Sequence, residues 1–219
     1  MPNQLNNHKQ LAEALQSGIF QLGLSVDSES QEKLLEYLAL MVKWNKVYNL
    51  TAIRDPRQMV SHHLLDSLAV MPHMNAGRWL DVGCGAGLPG LVLAIVQPQW
   101  HFTLLDSNTK KTSFVQQAII ELDLKNAHVY SARVEEFEAP EKFDGIISRA
   151  FTELGDFLRI TRHLIAPQGH WVAMKGAPEH ELPGVPEDCR VETVIPLSVP
   201  GLDAARCLVI ATPREELAS

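Results

Sequence analysis

The sequence predicts an α/β fold, with a seven-stranded, mostly parallel sheet and a small helical extension before it. From Trp79 onward, short apolar runs alternate with helical stretches, which indicates right-handed strand–helix–strand crossovers. Before Trp79 the apolar residues follow helical spacing alone. The last two apolar runs, 189–197 and 205–212, have no helix between them, so we expect an antiparallel C-terminal hairpin.

Three helices are predicted in residues 1–77, at about 8–22, 28–47 and 55–71. The second should begin with a capping box at Ser28–Gln31, and the third with Asp55 as N-cap and Pro56 at N1. We expect this extension to pack on a core domain formed by residues 78–219.

Seven strands and three helices are predicted in the core domain. The strands are expected at residues 79–82, 102–106, 127–130, 143–148, 170–175, 189–197 and 205–212. The helices are expected at residues 89–96, 109–122 and 152–165. A parallel sheet that ends in an antiparallel pair departs from the plain dinucleotide-binding fold.

Composition and charge narrow the function classes. With 219 residues, 46% hydrophobic and 21% charged, the chain should form one globular domain with an extension. The sequence has neither a long apolar run nor an apolar leader, and its three cysteines lack C-x-x-C spacing. We therefore expect a cytoplasmic protein with no membrane partner, no disulfide framework and no metal.

The net charge of −7 argues against a broad nucleic-acid surface. The acidic side chains concentrate in residues 179–219, which carry 8 acidic and 3 basic side chains. Residues 43–78 instead carry 5 basic and 2 acidic side chains with three histidines. This local excess fits either scattered surface charge or part of a basic footprint for a polyanion.

Three glycines separate the first strand from its helix and a fourth, Gly90, lies in the first turn of that helix, in the sequence WLDVGCGAGLPGLVLAI. Glycine permits positive φ and close approach of a ligand, and a helix N-terminus offers free N–H groups. The turn lacks the Lys and Ser or Thr of a phosphate-binding P-loop. Gly85, Gly87 and Gly90 match G-x-G-x-x-G, but out of register, because Gly83 already closes the strand.

The pattern strand-Asp-x-Gly-x-Gly-x-Gly-helix looks like the first motif of class I S-adenosylmethionine methyltransferases, which have a Rossmann-like fold. Asp81 could order the turn or meet the ammonium group of the cofactor. Asp106, at the end of the second strand, could accept hydrogen bonds from both ribose hydroxyls, as an acid does in NAD-binding proteins. The alternative for Asp106 is a helix N-cap.

The residues that follow the fourth strand, Ile147–Phe151, usually touch the acceptor in such enzymes. They lack the Asn/Asp-Pro-Pro-aromatic motif of exocyclic-amine methylases, and no cysteine has the setting of a cytosine-methylase nucleophile. Guanine N7 carries a lone pair and no proton, so its methylation requires no base. Catalysis could then rest on alignment and exclusion of water. Arg149 could anchor the cofactor or a phosphate, or form a surface salt bridge.

An ordered set of motifs completes the comparison. These are Trp44-Asn-Lys-x-x-Asn-Leu-Thr51, His63-x-x-Asp-Ser67, Asp81-Val-Gly-x-Gly-x-Gly-x-Pro-Gly90, Leu105-Asp-Ser-x-x-Lys-Lys111, Arg133-x-Glu135, Ser148-Arg-Ala-Phe151 and Lys175-Gly176. By this set, the sequence resembles the bacterial ribosomal RNA small subunit methyltransferase G family, also called glucose-inhibited division protein B. The resemblance covers about residues 32–212 and is weak over the first 30 residues and over 177–188.

The resemblance implies N7-methylation of one guanine in 16S ribosomal RNA near the decoding region. The donor would be S-adenosylmethionine and the partner 16S ribosomal RNA or the small ribosomal subunit, without DNA, and we expect a monomer. The turn and the resemblance together predict cofactor contacts by Asp81, Gly83, Gly85, Gly87, Leu88, Asp106, Val134, Glu135 and Arg149. Arg149 is also the one catalytic candidate. RNA contacts are expected from Lys46, Arg54, His62, His63 and Lys175.

Three other functions remain open at this stage. The first is a methyltransferase for another RNA or a small molecule. The salt dependence of activity would distinguish these two substrates, since RNA binding weakens steeply as salt rises. The second is a non-catalytic module that binds the cofactor without turnover. The third is a nicotinamide oxidoreductase, which a titration with NAD would reveal.

Overall fold

A seven-stranded sheet forms the centre of the molecule, which was studied as a computed structural model that describes residues 2–214, with side chains from residue 7. The strands are Arg78–Val82 (β1), His101–Asp106 (β2), Ala127–Ser131 (β3), Phe143–Arg149 (β4), Ile165–Lys175 (β5), Cys189–Leu197 (β6) and Arg206–Pro213 (β7). Their order is β3-β2-β1-β4-β5-β7-β6, and β7 is antiparallel to both neighbours. The predicted sheet and its C-terminal hairpin are confirmed.

The helices of the extension are Pro2–Gln21 (α1), Ser28–Tyr48 (α2), Pro56–Met59 (α3) and Asp66–Leu68 (α4), with a π-helical segment, Val60–Leu65, joining α3 to α4. Those of the core are Gly90–Val96 (α5), Thr109–Glu121 (α6) and Leu154–Thr161 (α7). Short 3-10 turns lie at Met71–His73, Val134–Glu136 and Leu182–Gly184. No helix in the described range 2–214 is long and apolar enough to cross a membrane.

Two hydrophobic layers cover the sheet. On one face, α7 packs against alternate residues of the strands, such as Leu80 and Ile146. On the other face, α5 and α6 are covered by the extension, and all of them share one continuous apolar core. The N-terminal helices therefore stabilise the same sheet face that positions the glycine turn.

The helix starts follow local capping chemistry. Asp55 caps α3 by accepting from Arg57 N at 3.0 Å, as predicted. The predicted capping box of α2 is wrong, because Asp27 is the N-cap and its carboxylate accepts from Ser30 N at 2.7 Å. Its second oxygen also accepts from Ser30 Oγ at 2.9 Å.

Candidate active site

Two cavities open at the edge of the sheet where the parallel strands end, which is where α/β folds bind ligands. The first has a volume of about 480 Å³ and extends from the end of β2 to the turn after β3. The second, about 860 Å³, extends from the glycine turn to the π-helical segment and the ends of β4 and β5. Their shared wall is formed by Gly83, Lys111 and Ala150–Thr152.

The glycine turn has a backbone that other residues adopt only with strain. Gly83, Gly85 and Gly87 have φ of 67°, 57° and 87°. The ring of Phe151 occupies the space that a Cβ on Gly83 would need. Gly83 lines both cavities, and the Phe151 ring packs against its Cα where they meet.

Asp81 anchors this turn from below. The side chain is fully buried, and its Oδ2 accepts a hydrogen bond from Gly90 N at 2.8 Å. A Cβ on Gly90 would lie 2.7 Å from the same oxygen, which explains the glycine at the start of α5. Asp81 lines neither cavity, so its position favours the turn-ordering role over direct contact with a cofactor.

Burial raises the pKa of Asp81 to about 7, against an opposing effect of the Gly90 hydrogen bond. Between pH 4 and 7 the folded protein therefore holds a proton that the unfolded chain has lost, so the contribution of Asp81 to stability falls as pH rises. Asp81→Asn has no titrating group at this position, so it should not lose this stability as pH rises. We expect the free energy of unfolding of the variant, minus that of the unsubstituted protein, to increase by about 2 kcal/mol between pH 5 and pH 7.5.

Urea denaturation at both pH values tests this expectation. The matched control is Asp123→Asn, because the side chain of Asp123 is 74% exposed. For this control, the free energy of unfolding should change between the two pH values by the same amount as for the unsubstituted protein. The same result for Asp81→Asn would contradict the pKa assigned to Asp81.

Asp106 faces the first cavity from the end of β2. Its Oδ2 accepts from Gly85 N at 2.9 Å and its Oδ1 from Asn108 N at 2.8 Å. The N-cap of α6 is Asn108, which accepts from Lys110 N at 3.1 Å, so Asp106 is free of that role. Each carboxylate oxygen keeps a lone pair for a ligand hydroxyl.

The far end of the first cavity is formed by the turn after β3. Val134 is buried and Glu135 is exposed, and both line this cavity. Arg133 lies beside them and was not a predicted contact. Of the other predicted cofactor residues, Gly85, Leu88 and Arg149 line the second cavity, and Gly87 lines neither.

Tyr37 holds the glycine turn from the N-terminal side. Its ring is fully buried in α2, and Oη donates to the carbonyl of Ala86 at 2.6 Å. Burial raises the pKa of this phenol well above its ordinary value, so it remains a donor at neutral pH.

Replacing Tyr37 by Phe leaves the Ala86 carbonyl without this donor. We expect the free energy of unfolding to fall by about 1–3 kcal/mol and the melting temperature to fall by several degrees, measured by calorimetry. The matched control is Tyr48→Phe, at the exposed end of the same helix, which should change neither. Equal melting temperatures for both variants would contradict the assigned role.

Arg149 is held by the extension. Its Nη1 donates to Asp66 Oδ2 at 3.0 Å and to the carbonyl of His62 at 2.9 Å. Asp66 is 1% exposed, and its Oδ1 accepts from Arg206 Nε at 3.1 Å. Asp66 thus joins two arginines from different strands, and the ion pair of Arg149 with this buried carboxylate is itself largely buried.

The π-helical segment explains how the His62 carbonyl can accept a hydrogen bond from Arg149. The N–H of Asp66 donates to the carbonyls of Ser61 and His63, whereas an α-helix would direct it to His62. The carbonyl of His62 is thereby available to Arg149. Such π-helical turns are rare and often occur at functional sites.

Three of the predicted RNA contacts line the second cavity. His62 is half-buried, with Nδ1 near Ser61 Oγ at 2.8 Å. His63 is buried beside Thr51, and burial lowers its pKa to about 4, so it presents no positive charge to a phosphate. Lys175 donates to Glu181 Oε2 at 2.6 Å, which neutralises its charge.

The other two predicted RNA contacts lie outside both cavities. Lys46 is exposed on α2. Arg54 donates to the carbonyl of Asn45 at 2.8 Å and to Asn49 Oδ1 at 2.6 Å, so its guanidinium ties down the end of α2. Both side chains are exposed, and their predicted contacts with RNA remain predictions.

Two imidazole side chains, His62 and His63, line the second cavity, and its carboxylates and thiol are poorly placed to act as a base or nucleophile. Of its carboxylates, Asp66 and Glu181 are engaged in ion pairs, and Glu153 is exposed to solvent. Burial raises the pKa of the Cys84 thiol well above its ordinary value, so Cys84 is a neutral lining residue. Within residues 2–214, no group of three or more His, Cys, Asp or Glu side chains could hold a metal ion.

Several residues at the site were not among the predicted contacts. Lys111 and Phe151 line both cavities, and Asp66 and Arg206 line the second. Lys111, Phe151 and Asp66 lie inside the motifs that carry the family resemblance, so the sequence did indicate them. Arg206, Tyr37 and Glu181 lie outside those motifs, and nothing in the sequence indicated their roles.

Comparison with known proteins agrees with this geometry. The family model described as rRNA small subunit methyltransferase G matches residues 30–209. The chain belongs to this family.

Curated members of the rRNA small subunit methyltransferase G family match nearly the whole chain. The protein named ribosomal RNA small subunit methyltransferase G from Pseudomonas paraeruginosa is 53% identical over 91% of this chain and 94% of its own. The protein of that name from Laribacter hongkongensis is 52% identical over 91% of this chain and 97% of its own. The one from Methylobacillus flagellatus is 52% identical over 94% of this chain and all of its own.

Solved structures share the fold at low identity. TrmN from Thermus thermophilus has a TM-score of 0.57 at 17% identity, over 77% of this chain and 53% of its own. The N-methyltransferase NodS from Bradyrhizobium japonicum, in complex with S-adenosyl-L-homocysteine, has a TM-score of 0.54 at 16% identity, over 80% of this chain and 100% of its own. The glycopeptide N-methyltransferase MtfA, complexed with S-adenosyl-L-methionine, has a TM-score of 0.59 at 10% identity, over 70% of this chain and 88% of its own. These similarities confirm the predicted class I methyltransferase fold.

Proposed function

We propose that this protein methylates N7 of a specific guanine in 16S ribosomal RNA, near the decoding region, with S-adenosylmethionine as donor. Membership of the rRNA small subunit methyltransferase G family supports the RNA substrate. The observation that carries the N7 assignment is the second cavity, where Asp66 and Glu181 are held in ion pairs and Cys84 is a neutral thiol. The imidazoles of His62 and His63 also line this cavity, but an acceptor nitrogen without a proton makes no demand on them. The protein is proposed to act in the cytoplasm as a monomer.

The first cavity fits the cofactor. Asp106 supplies two acceptor oxygens for ribose hydroxyls, and Val134 and Glu135 are suited to the adenine end. The glycine turn at Gly83 lies where the two cavities meet, beside the ring of Phe151. When bound, S-adenosylmethionine would supply an electrophilic methyl group that is activated by the positive charge on sulfur.

The second cavity fits the acceptor. A volume of about 860 Å³ is enough for an unstacked nucleotide, since ligand sites typically span about 300–1,000 Å³. Because N7 carries no proton, the protein has to orient the base and exclude water, and it needs no base to act. The guanidinium groups of Arg149 and Arg206 share the negative charge of Asp66, which limits repulsion of a forming cation.

The overall negative charge favours recognition in this cavity over a broad basic surface. A protein that takes one base out of its stack needs a pocket and a few local cations, which Lys46 and Lys111 could supply.

The decisive experiment uses small ribosomal subunits from cells that lack this gene. The subunits are incubated with the purified protein and methyl-labelled S-adenosylmethionine, and the digested RNA is separated into nucleosides. We expect label in 7-methylguanosine. Label in another nucleoside would overturn the N7 assignment, and no label despite measured cofactor binding, on subunits, free RNA and assembly intermediates alike, would overturn the RNA substrate.

A further inference from the structure

One aromatic side chain lies where the two cavities meet. Phe151 lines both, and among the described side chains of either cavity it has the one phenyl or indole ring. It is 36% exposed although it is a large apolar residue. One edge of the ring packs on the bare backbone of Gly83, so the ring is supported from the side of the glycine turn.

The backbone before Phe151 is unusual. Ala150 has φ of 51°, a conformation that residues with a side chain seldom adopt. Non-glycine residues in this conformation cost free energy and cluster at ligand-binding sites. Here the conformation turns the chain at the end of β4 and directs Phe151 to the shared wall.

An apolar ring in this place suits a nucleobase. A base that enters a pocket loses its stacking in the RNA, and stacking on an aromatic side chain restores about 1–3 kcal/mol. The second cavity is also lined by polar groups, of which Lys175 and Arg206 are engaged in ion pairs. The phenyl ring of Phe151 is therefore the flat apolar side chain in that cavity on which a base could stack.

The reaction adds a charge that such a ring can stabilise. In the proposed function, the N7 lone pair forms the bond to the methyl carbon, and the electron pair of the broken carbon–sulfur bond remains on sulfur. The purine gains one positive charge, and no proton moves. The face of an aromatic ring attracts cations, so its attraction for the base grows along the reaction. Only interactions that strengthen in this way accelerate the chemical step.

We propose that Phe151 is a catalytic residue, whose ring stacks on the target guanine and stabilises the positive charge that the purine acquires. This inference rests on the proposed function. It assigns to the chain a source of rate acceleration that is neither a base nor a nucleophile.

The test measures single-turnover methyl transfer to the small subunits described above. Phe151→Leu keeps an apolar side chain without a π face, and we expect its rate to fall by about 10-fold or more. Phe151→Trp keeps the face and should remain within about 3-fold of the unsubstituted protein. The matched control is Phe20→Leu, on the surface of α1, where the ring is 85% exposed, and its rate should not change.

A second series separates charge from shape. Mono-, di- and trifluorophenylalanine at position 151 withdraw electrons from the ring stepwise while its size changes little. We expect the rate to fall with each fluorine and the dissociation constant for S-adenosylmethionine to change less than about 2-fold. This series also covers the case in which Phe151→Leu does not fold.

The outcomes distinguish the two proposals. If the unsubstituted protein forms no 7-methylguanosine, the proposed function fails and the inference fails with it. If it forms 7-methylguanosine but Phe151→Leu reacts at the same rate, or fluorination leaves the rate unchanged, the inference alone is overturned. A fluorine dependence confined to cofactor binding would also overturn it, because the ring would then serve the donor.

Discussion

Replacing Asp81 by Ala is expected to abolish detectable binding of S-adenosylmethionine. The substitution removes the acceptor of Gly90 N and leaves this buried N–H unsatisfied, which costs about 1–3 kcal/mol. It also removes the anchor between β1 and the start of α5. Because this anchor holds Gly90 N, where the turn enters α5, we expect the turn to lose the geometry that a ligand requires.

Isothermal titration calorimetry with S-adenosylmethionine measures the effect, after circular dichroism has shown that the variant is folded. Asp81→Asn is the matched variant, because the amide oxygen can still accept from Gly90 N. We expect it to retain most of the affinity, in keeping with the burial of Asp81 away from both cavities. Unchanged affinity in Asp81→Ala would show that the carboxylate does not order the turn.

Replacing Arg149 by Ala is expected to lower the rate of methyl transfer by at least about 10-fold, or about 1.4 kcal/mol. The guanidinium connects the end of β4 to the π-helical segment through Asp66 and the His62 carbonyl. Without it, Asp66 keeps one arginine partner in place of two, and both sides of the second cavity lose a common support. Arg149→Lys keeps the positive charge but lacks the planar guanidinium with its several donors. We expect its rate to lie between those of Arg149→Ala and the unsubstituted protein.

Labelled methyl transfer to small subunits gives these rates. Arg162→Ala is a suitable control, because Arg162 also forms an ion pair, with Asp188 at 3.0 Å, and lines neither cavity. Its rate should equal that of the unsubstituted protein. A rate for Arg149→Ala that matches this control would mean that the reaction takes place elsewhere.

Much of the fold was predictable because its signals are local. The central strands β1 and β4 are predictable because a buried parallel strand has a nearly continuous apolar sequence. The start of β5 is not, because Ile165 lies at the end of the predicted helix 152–165. The topology then brought Gly83, Asp106 and Arg149 to one edge of the sheet, because parallel strands end on the same side. The sequence spacing was therefore enough to predict that these residues lie at the same edge of the sheet.

The contacts between distant segments were not predictable. Tyr37 looks like one more apolar position of α2, and only the packed structure brings its hydroxyl to the glycine turn. His63 looks like a surface cation until burial neutralises it. The π-helical segment adds no signal to the helical spacing of residues 55–71, so the availability of the His62 carbonyl could not be foreseen.

The network around Asp66 bears on the order of assembly during synthesis. Asp66 leaves the ribosome early, but Arg149 follows 83 residues later and Arg206 140 residues later. Contacts over such separations form slowly, because a long loop has to close before they can stabilise anything. Until β7 has been made, a nascent chain carries an acidic group at the future active site with at most one of its two cationic partners. A chain that stops before β7 would therefore have the complete glycine turn and an incomplete acceptor cavity.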